Sequence, residues 1–369
     1  MLIKNIYLEN FRNYDKQQID LNENINVFYG KNAQGKTNIL EALYFCALGR
    51  SFRTHKENEL IRFENNASKV VVKYEKNNRE NEIEIDLNKT EKKCIKLNGI
   101  KLNKNSELVG NINIVIFSPD DMIILKQGPA QRRKFLDILI SQLRPKYLHE
   151  LNSYNRVLEQ RNAVLKSKKV DSIDIWNEQL AEFSEKIFTY RQEYVEKLQK
   201  NLEIVHPKLT NDLEKIKIKY KTSFKNKEQF KKMLNDKLSL DLLRGYTSEG
   251  MHRDDFEMFI NDESLNMYGS QGQHKTAVLS LKMSEMNIVR DEIGENPILL
   301  LDDITSELDV DRINSIFENI KNYQVFITCT DVNLILKYDC LTKNIKLYNI
   351  DRGIVKYKGE WNVLTYRWK

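Results

Sequence analysis

Hydrophobic positions along the chain change period several times. Leu2, Ile3, Ile6, Tyr7 and Leu8 begin an extended segment, and Ile25–Tyr29 is an apolar run that leads straight into Gly30. After a polar loop, Ile39, Leu40, Leu43, Tyr44 and Ala47 recur at helical spacing. Over 69–103 the period falls to two, and Asn98-Gly99 between two alternating runs predicts a hairpin turn. A further strand at 112–117 stops at Ser118-Pro119. From about 131 to 207 the pattern is helical. Leu148, Leu151, Asn155, Leu158, Asn162 and Leu165 share one face, and Trp176, Leu180, Phe183, Ile187, Tyr190 and Tyr194 share another. These segments predict an antiparallel helical hairpin ended by Pro207, either a projecting arm or a compact helical subdomain. Extended periodicity returns from Phe256, followed by a helix at 273–293, an apolar strand at Ile298–Leu301, a helix and a strand at 325–328. One α/β core interrupted by a helical insert is expected: 1–120 and 241–369 form the core, and 121–240 the insert.

The loop after the strand at 25–29 is Gly30-Lys31-Asn32-Ala33-Gln34-Gly35-Lys36-Thr37-Asn38, which fits GxxxxGK[ST]. Its glycines let successive N–H groups turn toward phosphate oxygens, and the helix that follows adds its positive end. Lys36 can reach the β- and γ-phosphates of ATP, and the Thr37 hydroxyl can join a Mg²⁺ shell. Asp302, at the carboxyl end of the strand at 298–301, is the expected second magnesium ligand. Asp303 is the candidate to orient an attacking water, which makes Lys36 and Asp303 the catalytic pair. Ser270, Gly272 and Gln273 stand at the start of a long helix and form a second candidate anion-binding end.

In this order, the phosphate loop, the Ser-x-Gly-Gln element, the acidic strand and "SELD" at 306–309 occur in ATP-binding-cassette ATPases. Together with "LENFRNY" at 8–14, "GRSFRT" at 49–54, "FSPDDMIILKQGPAQRRKFLD" at 117–137 and "HRDD" at 252–255, they make nearly the whole chain resemble the RecF family. Those proteins are cytoplasmic ATPases of bacterial recombinational repair. The resemblance implies an α/β fold: an ABC-type P-loop ATPase head of mixed sheet and helices, plus an inserted α-helical second lobe. It implies a homodimer with ATP held between the phosphate loop of one copy and the Ser270 element of the other, and slow hydrolysis used as a switch. It also implies binding to single-strand–double-strand DNA junctions, work with RecO and RecR, help in loading RecA at gaps, and a place in replication, repair and the SOS response to DNA damage. Arg12 and Asn13 are implied to lie near the nucleotide. Asp120 or Asp121, in place of the Q-loop, would touch metal or water, or else form a turn and helix cap. The chain departs from the family pattern at Met251 (usually proline), at His274-Lys275 (Gln-Arg) and at Tyr268-Gly269 (Phe-Ala). No switch histidine follows the strand at 325–328, where Thr330 or Asp331 could stand in.

Composition adds limits. The chain has 369 residues, 41% hydrophobic, with a formal net charge of +6. That balance permits a nucleic-acid partner without demanding one. Three basic clusters could meet phosphate or simply be solvated: Arg50, Arg53 and Lys56; Arg132, Arg133 and Lys134; Lys166, Lys168 and Lys169. Cys46, Cys94, Cys329 and Cys340 lack metal-site spacing and read as small buried hydrophobes. No apolar run approaches membrane-spanning length, so a cytoplasmic chain without a membrane partner is expected. Two further classes remain open, an SMC-like structural DNA tether and the ATPase subunit of a transporter.

Overall fold

The computed structural model describes residues 1–168, 171–338 and 344–361. In chain order its elements are β1 (Leu2–Phe11), β2 (Tyr14–Asp20), β3 (Ile25–Tyr29), α1 (Lys36–Leu48), β4 (Ala67–Lys76), β5 (Arg79–Asn88), β6 (Cys94–Leu97), β7 (Ile100–Lys101) and β8 (Ile114–Phe117). Then follow α2 (Met122–Lys126), α3 (Pro129–Leu143), α4 (Pro145–Ser167), α5 (Ile173–Thr210), β9 (Ile216–Lys221), α6 (Lys227–Asp236), α7 (Leu238–Arg244), β10 (Asp255–Ile260), β11 (Glu263–Ser264), α8 (Leu265–Tyr268) and α9 (Gln271–Ile293). The last are β12 (Ile298–Leu301), α10 (Ile304–Glu307), α11 (Val310–Asn319), β13 (Val325–Cys329), α12 (Asn333–Leu336), β14 (Ile345–Asp351) and β15 (Ile354–Trp361).

These elements form two compact units, 1–119 with 289–369, and 120–288. In the first, an antiparallel sheet has the order β2-β1-β4-β5-β6-β7, and a second sheet has the order β15-β14-β3-β13-β12-β8. The second sheet is parallel except where β15 returns beside β14. Helix α1 touches β4 and β5 of one sheet and β13 of the other. That position explains why its apolar residues surround the whole helix rather than marking one stripe: Ile39 through Leu48 are all buried. At the predicted hairpin, Asn98 and Gly99 have φ of 50° and 78°.

The second unit adds a strand to the α-helical insert lobe expected at 121–240. Alternating Ile216 and Ile218 build β9, which pairs with β10 in a three-stranded sheet. The unit also runs on to Ile288, so β10, β11 and most of α9 belong to it rather than to the C-terminal half of the core. Helices α4 and α5 pack against each other, but α5 does not stop at Pro207; it continues to Thr210. A proline lacks only its own N–H bond back to residue 203, and its carbonyl still accepts from the cap, Asn211. The buried face of α4 is Tyr147, Glu150, Tyr154, Val157, Arg161 and Leu165; the first five lie one position before the stripe expected, and Leu165 is common to both. Arg161 is fully buried with Nε donating to Asn177 (2.7 Å) and Nη1 to Asp241 (2.8 Å) and Thr247 (2.7 Å), while Nη2 has no hydrogen-bond partner among the described residues.

Candidate nucleotide-binding site

Strand β3 lies between β14 and β13, parallel to both, and delivers the chain to the phosphate loop at its carboxyl end. Gly30 has φ of +151°, and a Cβ there would lie 2.4 Å from the Ile350 carbonyl oxygen. Gly35 has φ of +111°, and a Cβ there would lie 2.5 Å from Asn13 Oδ1. The loop therefore needs glycine at both positions for backbone angle and for space. Lys31, Asn32 and Ala33 are exposed on its outer turn.

The turn between β1 and β2 supports the loop from below. Asn13 Nδ2 donates to the Gln34 carbonyl at 2.7 Å and Asn13 Oδ1 accepts from Asn38 at 2.8 Å. The Tyr14 hydroxyl donates to the Gly35 carbonyl at 2.9 Å. The turn between β14 and β15 braces Gln34, whose Oε1 accepts from the Arg352 N–H at 2.7 Å. Lys36 is buried, and its ammonium donates to the carbonyls of Gly30 (2.6 Å) and Lys31 (2.9 Å). Burial lowers its pKa, with the charges of Asp303, Cys329 and Asp302 opposing that shift.

Three side chains converge at the end of β12. Thr37 Oγ1 donates to Asp302 Oδ1 at 2.8 Å, and Thr328 Oγ1, on β13, donates to the same oxygen at 2.7 Å. Asp302 is buried; burial raises its pKa, the two hydroxyls and Arg53 pull it down, and Asp303 pushes it up. Asp303 has φ of 46°, and its N–H donates to Thr328 Oγ1 at 2.9 Å. This convergence of a hydroxyl and a carboxylate, beside a loop whose glycines leave room for an anion, fits a magnesium–triphosphate.

Arg12, implied to lie near the nucleotide, is engaged on α1, the helix that follows the phosphate loop. Its guanidinium grips Glu41 of α1 at 2.8 and 2.6 Å and donates to the Glu59 carbonyl at 2.8 Å. Glu41 is fully buried and also accepts from Ser51 at 2.5 Å. Arg53, read as part of a basic cluster, donates to Asn38 Oδ1 at 2.8 Å, next to Thr37. Glu41 and Thr328 went unnoticed in the sequence. An acid inside an otherwise apolar helix was the signal for the first, and a hydroxyl on the strand beside the acidic one was the signal for the second.

Ser270, Gly272 and Gln273 lie in the second unit at the start of α9, where Ser270 and Gln273 close a capping box: Gln273 N–H donates to Ser270 Oγ at 3.1 Å, and Ser270 N–H donates to Gln273 Oε1 at 2.9 Å. Two of the departures nearby, Gly269 and His274, have local causes. A Cβ on Gly269 would lie 2.5 Å from the Leu265 carbonyl oxygen, and His274 is buried with Nδ1 2.9 Å from the Ser270 carbonyl. The Met251 carbonyl accepts from Arg191 at 2.8 Å. Asp120 and Asp121 sit in a single 3₁₀ turn before α2, and Thr330 and Asp331 are exposed just past β13. Among the basic clusters, Arg132 is buried on Asp255 at 2.6 and 2.9 Å, which removes it as a candidate for phosphate. Arg133 donates to the Asp254 carbonyl at 2.6 Å, and Lys166 and Lys168 are exposed. Cys46 and Cys329 are buried and Cys94 is half-buried; Lys169 and Cys340 lie outside the described residues.

Residues 2–356 match the model of the RecF/RecN/SMC N terminal domain. A relative from Clostridium beijerinckii, a DNA replication and repair protein RecF, is 41% identical over 97% of this chain and 99% of its own. The chain belongs to the RecF family. A relative of the same description from Acetivibrio thermocellus is 44% identical over 90% of this chain and 94% of its own. A solved structure of the recombination mediator protein RecF with ATP, in the RecFOR pathway, superposes with a TM-score of 0.90 at 38% identity, covering 97% and 98% of the two chains. An Smc head domain from Pyrococcus furiosus superposes with a TM-score of 0.57 at 16% identity, covering 98% and 97%, which shows shared fold alone. The fold is therefore the α/β ATPase head common to RecF and Smc proteins, with a large helical region. Among the described residues, no helix is long and apolar enough to cross a membrane.

Proposed function

We propose that this chain is a cytoplasmic, ATP-dependent DNA repair protein that dimerises around ATP on DNA, favours gapped and junction DNA, and helps recombination mediators load recombinase. Slow ATP hydrolysis resets it. The supporting observation is the assembled half-site: a glycine-shaped phosphate loop, Lys36 at its centre, and Thr37 against Asp302 at 2.8 Å, in a chain that belongs to the RecF family. Lys36 would exchange its two loop carbonyls for β- and γ-phosphate oxygens. The backbone N–H groups of residues 30–38 would receive the remaining phosphate oxygens, with Asn13 holding the loop. Thr37 and Asp302 would hold Mg²⁺, which when bound neutralises phosphate charge. Asp303 would accept the proton of the attacking water.

Each chain carries one phosphate loop and one Ser270 helix start. With the helix start at Ser270, Gly272 and Gln273 set on a partner's γ-phosphate, ATP favours the dimer by binding it better than the monomer. RecO and RecR are the proposed partners, with RecA acting downstream, and the DNA contacts are to backbone phosphate, without sequence preference. The match of residues 2–356 to a domain model shared by RecF, RecN and SMC proteins favours a second reading, a structural DNA tether. Its arm would have to be the helical pair of 23 and 38 residues, short for that task.

Sedimentation velocity with and without ATP, Mg²⁺ and gapped DNA tests the first reading. Wild-type protein shifts to a dimer with ATP, Lys36→Ala does not, and Ser270→Arg binds ATP yet stays monomeric. Normal dimerisation of Ser270→Arg would sink the shared site. Asp303→Asn traps the dimer; rapid turnover by that variant removes Asp303 from its role.

A further inference from the structure

A chain of polar contacts inside the second unit links the end of α5 to the start of α9. His206 is fully buried. Its Nδ1 lies 2.8 Å from Ser280 Oγ, and Ser280 donates its hydroxyl proton to the Thr276 carbonyl at 2.8 Å. A hydroxyl has one proton, so Ser280 accepts from His206 Nδ1–H. The other ring nitrogen, Nε2, has no hydrogen-bond partner but faces Glu214 Oε2 at 3.3 Å. Glu214 Oε1 accepts from Gln273 Nε2 at 3.0 Å. The amide of Gln273 is oriented by this contact, because its oxygen already receives the Ser270 N–H. Asn211 and Asp212, with φ of 50° and 61°, turn the chain off α5 and bring Glu214 back beside His206.

We propose that Glu214 is a positioning residue for the Ser270–Gln273 helix start. It holds the Gln273 side chain in the rotamer that closes the capping box. The inference rests on the shared-site reading above and deepens it. The first N–H groups of a helix have no partner within it, so the end frays unless something fixes it. A free glutamine side chain samples many rotamers, and ordering it at the moment of ATP contact would weaken that contact. With Glu214 in place, that ordering is complete before a second copy's nucleotide arrives. Gln273 then acts on the phosphate through Ser270, whose hydroxyl its N–H fixes in place, and not through its amide.

The test uses full-length protein carrying Glu214→Ala or Glu214→Gln. Three quantities are read: amide hydrogen exchange at 270–274 without nucleotide, ATP binding by the single copy, and ATP-driven association. In Glu214→Ala, exchange at Ser270 and Gln273 speeds up about tenfold, the scale of one lost hydrogen bond. Association weakens about equally, and ATP binding by the monomer is unchanged. Glu214→Gln restores both, since an amide oxygen can accept from Gln273 while its nitrogen donates to His206 Nε2. Exchange at wild-type rates in Glu214→Ala overturns the inference, as does a Glu214→Gln protein that behaves like Glu214→Ala. A wild-type protein that never associates with ATP overturns the shared-site reading instead, and the exchange measurement still decides whether Glu214 holds the helix start.

Discussion

Thr328→Val isolates a single hydroxyl at the centre of the acidic pair. Thr328 is fully buried on β13, and valine matches its shape, so strand packing is kept. The hydroxyl donates to Asp302 at 2.7 Å and accepts from the Asp303 N–H at 2.9 Å. A bond to an ionised carboxylate contributes about 1.5–3 kcal/mol, and a stranded N–H costs about 1–3 kcal/mol. Asp302 keeps Thr37 as a donor, and the Asp303 amide is only part-buried, so water takes up some of the loss. A net destabilisation of about 2–4 kcal/mol of the first unit follows. Removing a donor that lowers the Asp302 pKa also moves its titration upward, so the acid side of Mg²⁺-dependent ATP binding shifts to higher pH. Urea unfolding followed by hydrogen exchange reads the first effect, and calorimetric titration with ATP across pH reads the second, where a loss of about tenfold at neutral pH is expected. Thr328→Ser, which retains the hydroxyl, stays near wild type on binding. Unfolding at the same urea concentration, together with unchanged affinity, would refute the claim that this hydroxyl organises the acids.

Asp302→Asn gives a pH signature without ligand. Burial raises the Asp302 pKa above its ordinary 3.8, so ionisation opposes folding as pH climbs from 3.8 through the raised value. The asparagine variant is therefore more stable than wild type at pH 7 without nucleotide, loses that advantage below pH 3.8, and gains nothing from Mg²⁺; thermal melts across pH check it. Glu41→Gln removes the charge that Arg12 grips at both nitrogens, and costs about 2–4 kcal/mol because Arg12 is itself mostly buried; an urea midpoint equal to wild type would count against the clamp. Arg132→Ala destabilises the second unit by about 3 kcal/mol through the orphaned Asp255. It leaves the salt dependence of DNA binding unaltered, whereas a slope reduced by about one phosphate contact would restore Arg132 as a DNA ligand.

The sequence determined whatever depends on neighbours along the chain. The period-two run at 69–103 became β4 to β7, the loop from Gly30 to Thr37 stands between a strand and a helix, and Asp302 ends a buried strand. Backbone preference and alternation act over a few residues, so they can be read in one pass. The tertiary structure alone decided which side chains complete the site. Thr37 meets Asp302 across 265 positions, and Arg12 meets Glu41 across 29. The same limit displaced the buried face of α4: Arg161 lies inside with Asp241 and Thr247, 80 and 86 residues on, accepting from its Nη1. A buried polar group is tolerated only by partners that folding brings in from elsewhere, and one stretch of chain holds no record of them.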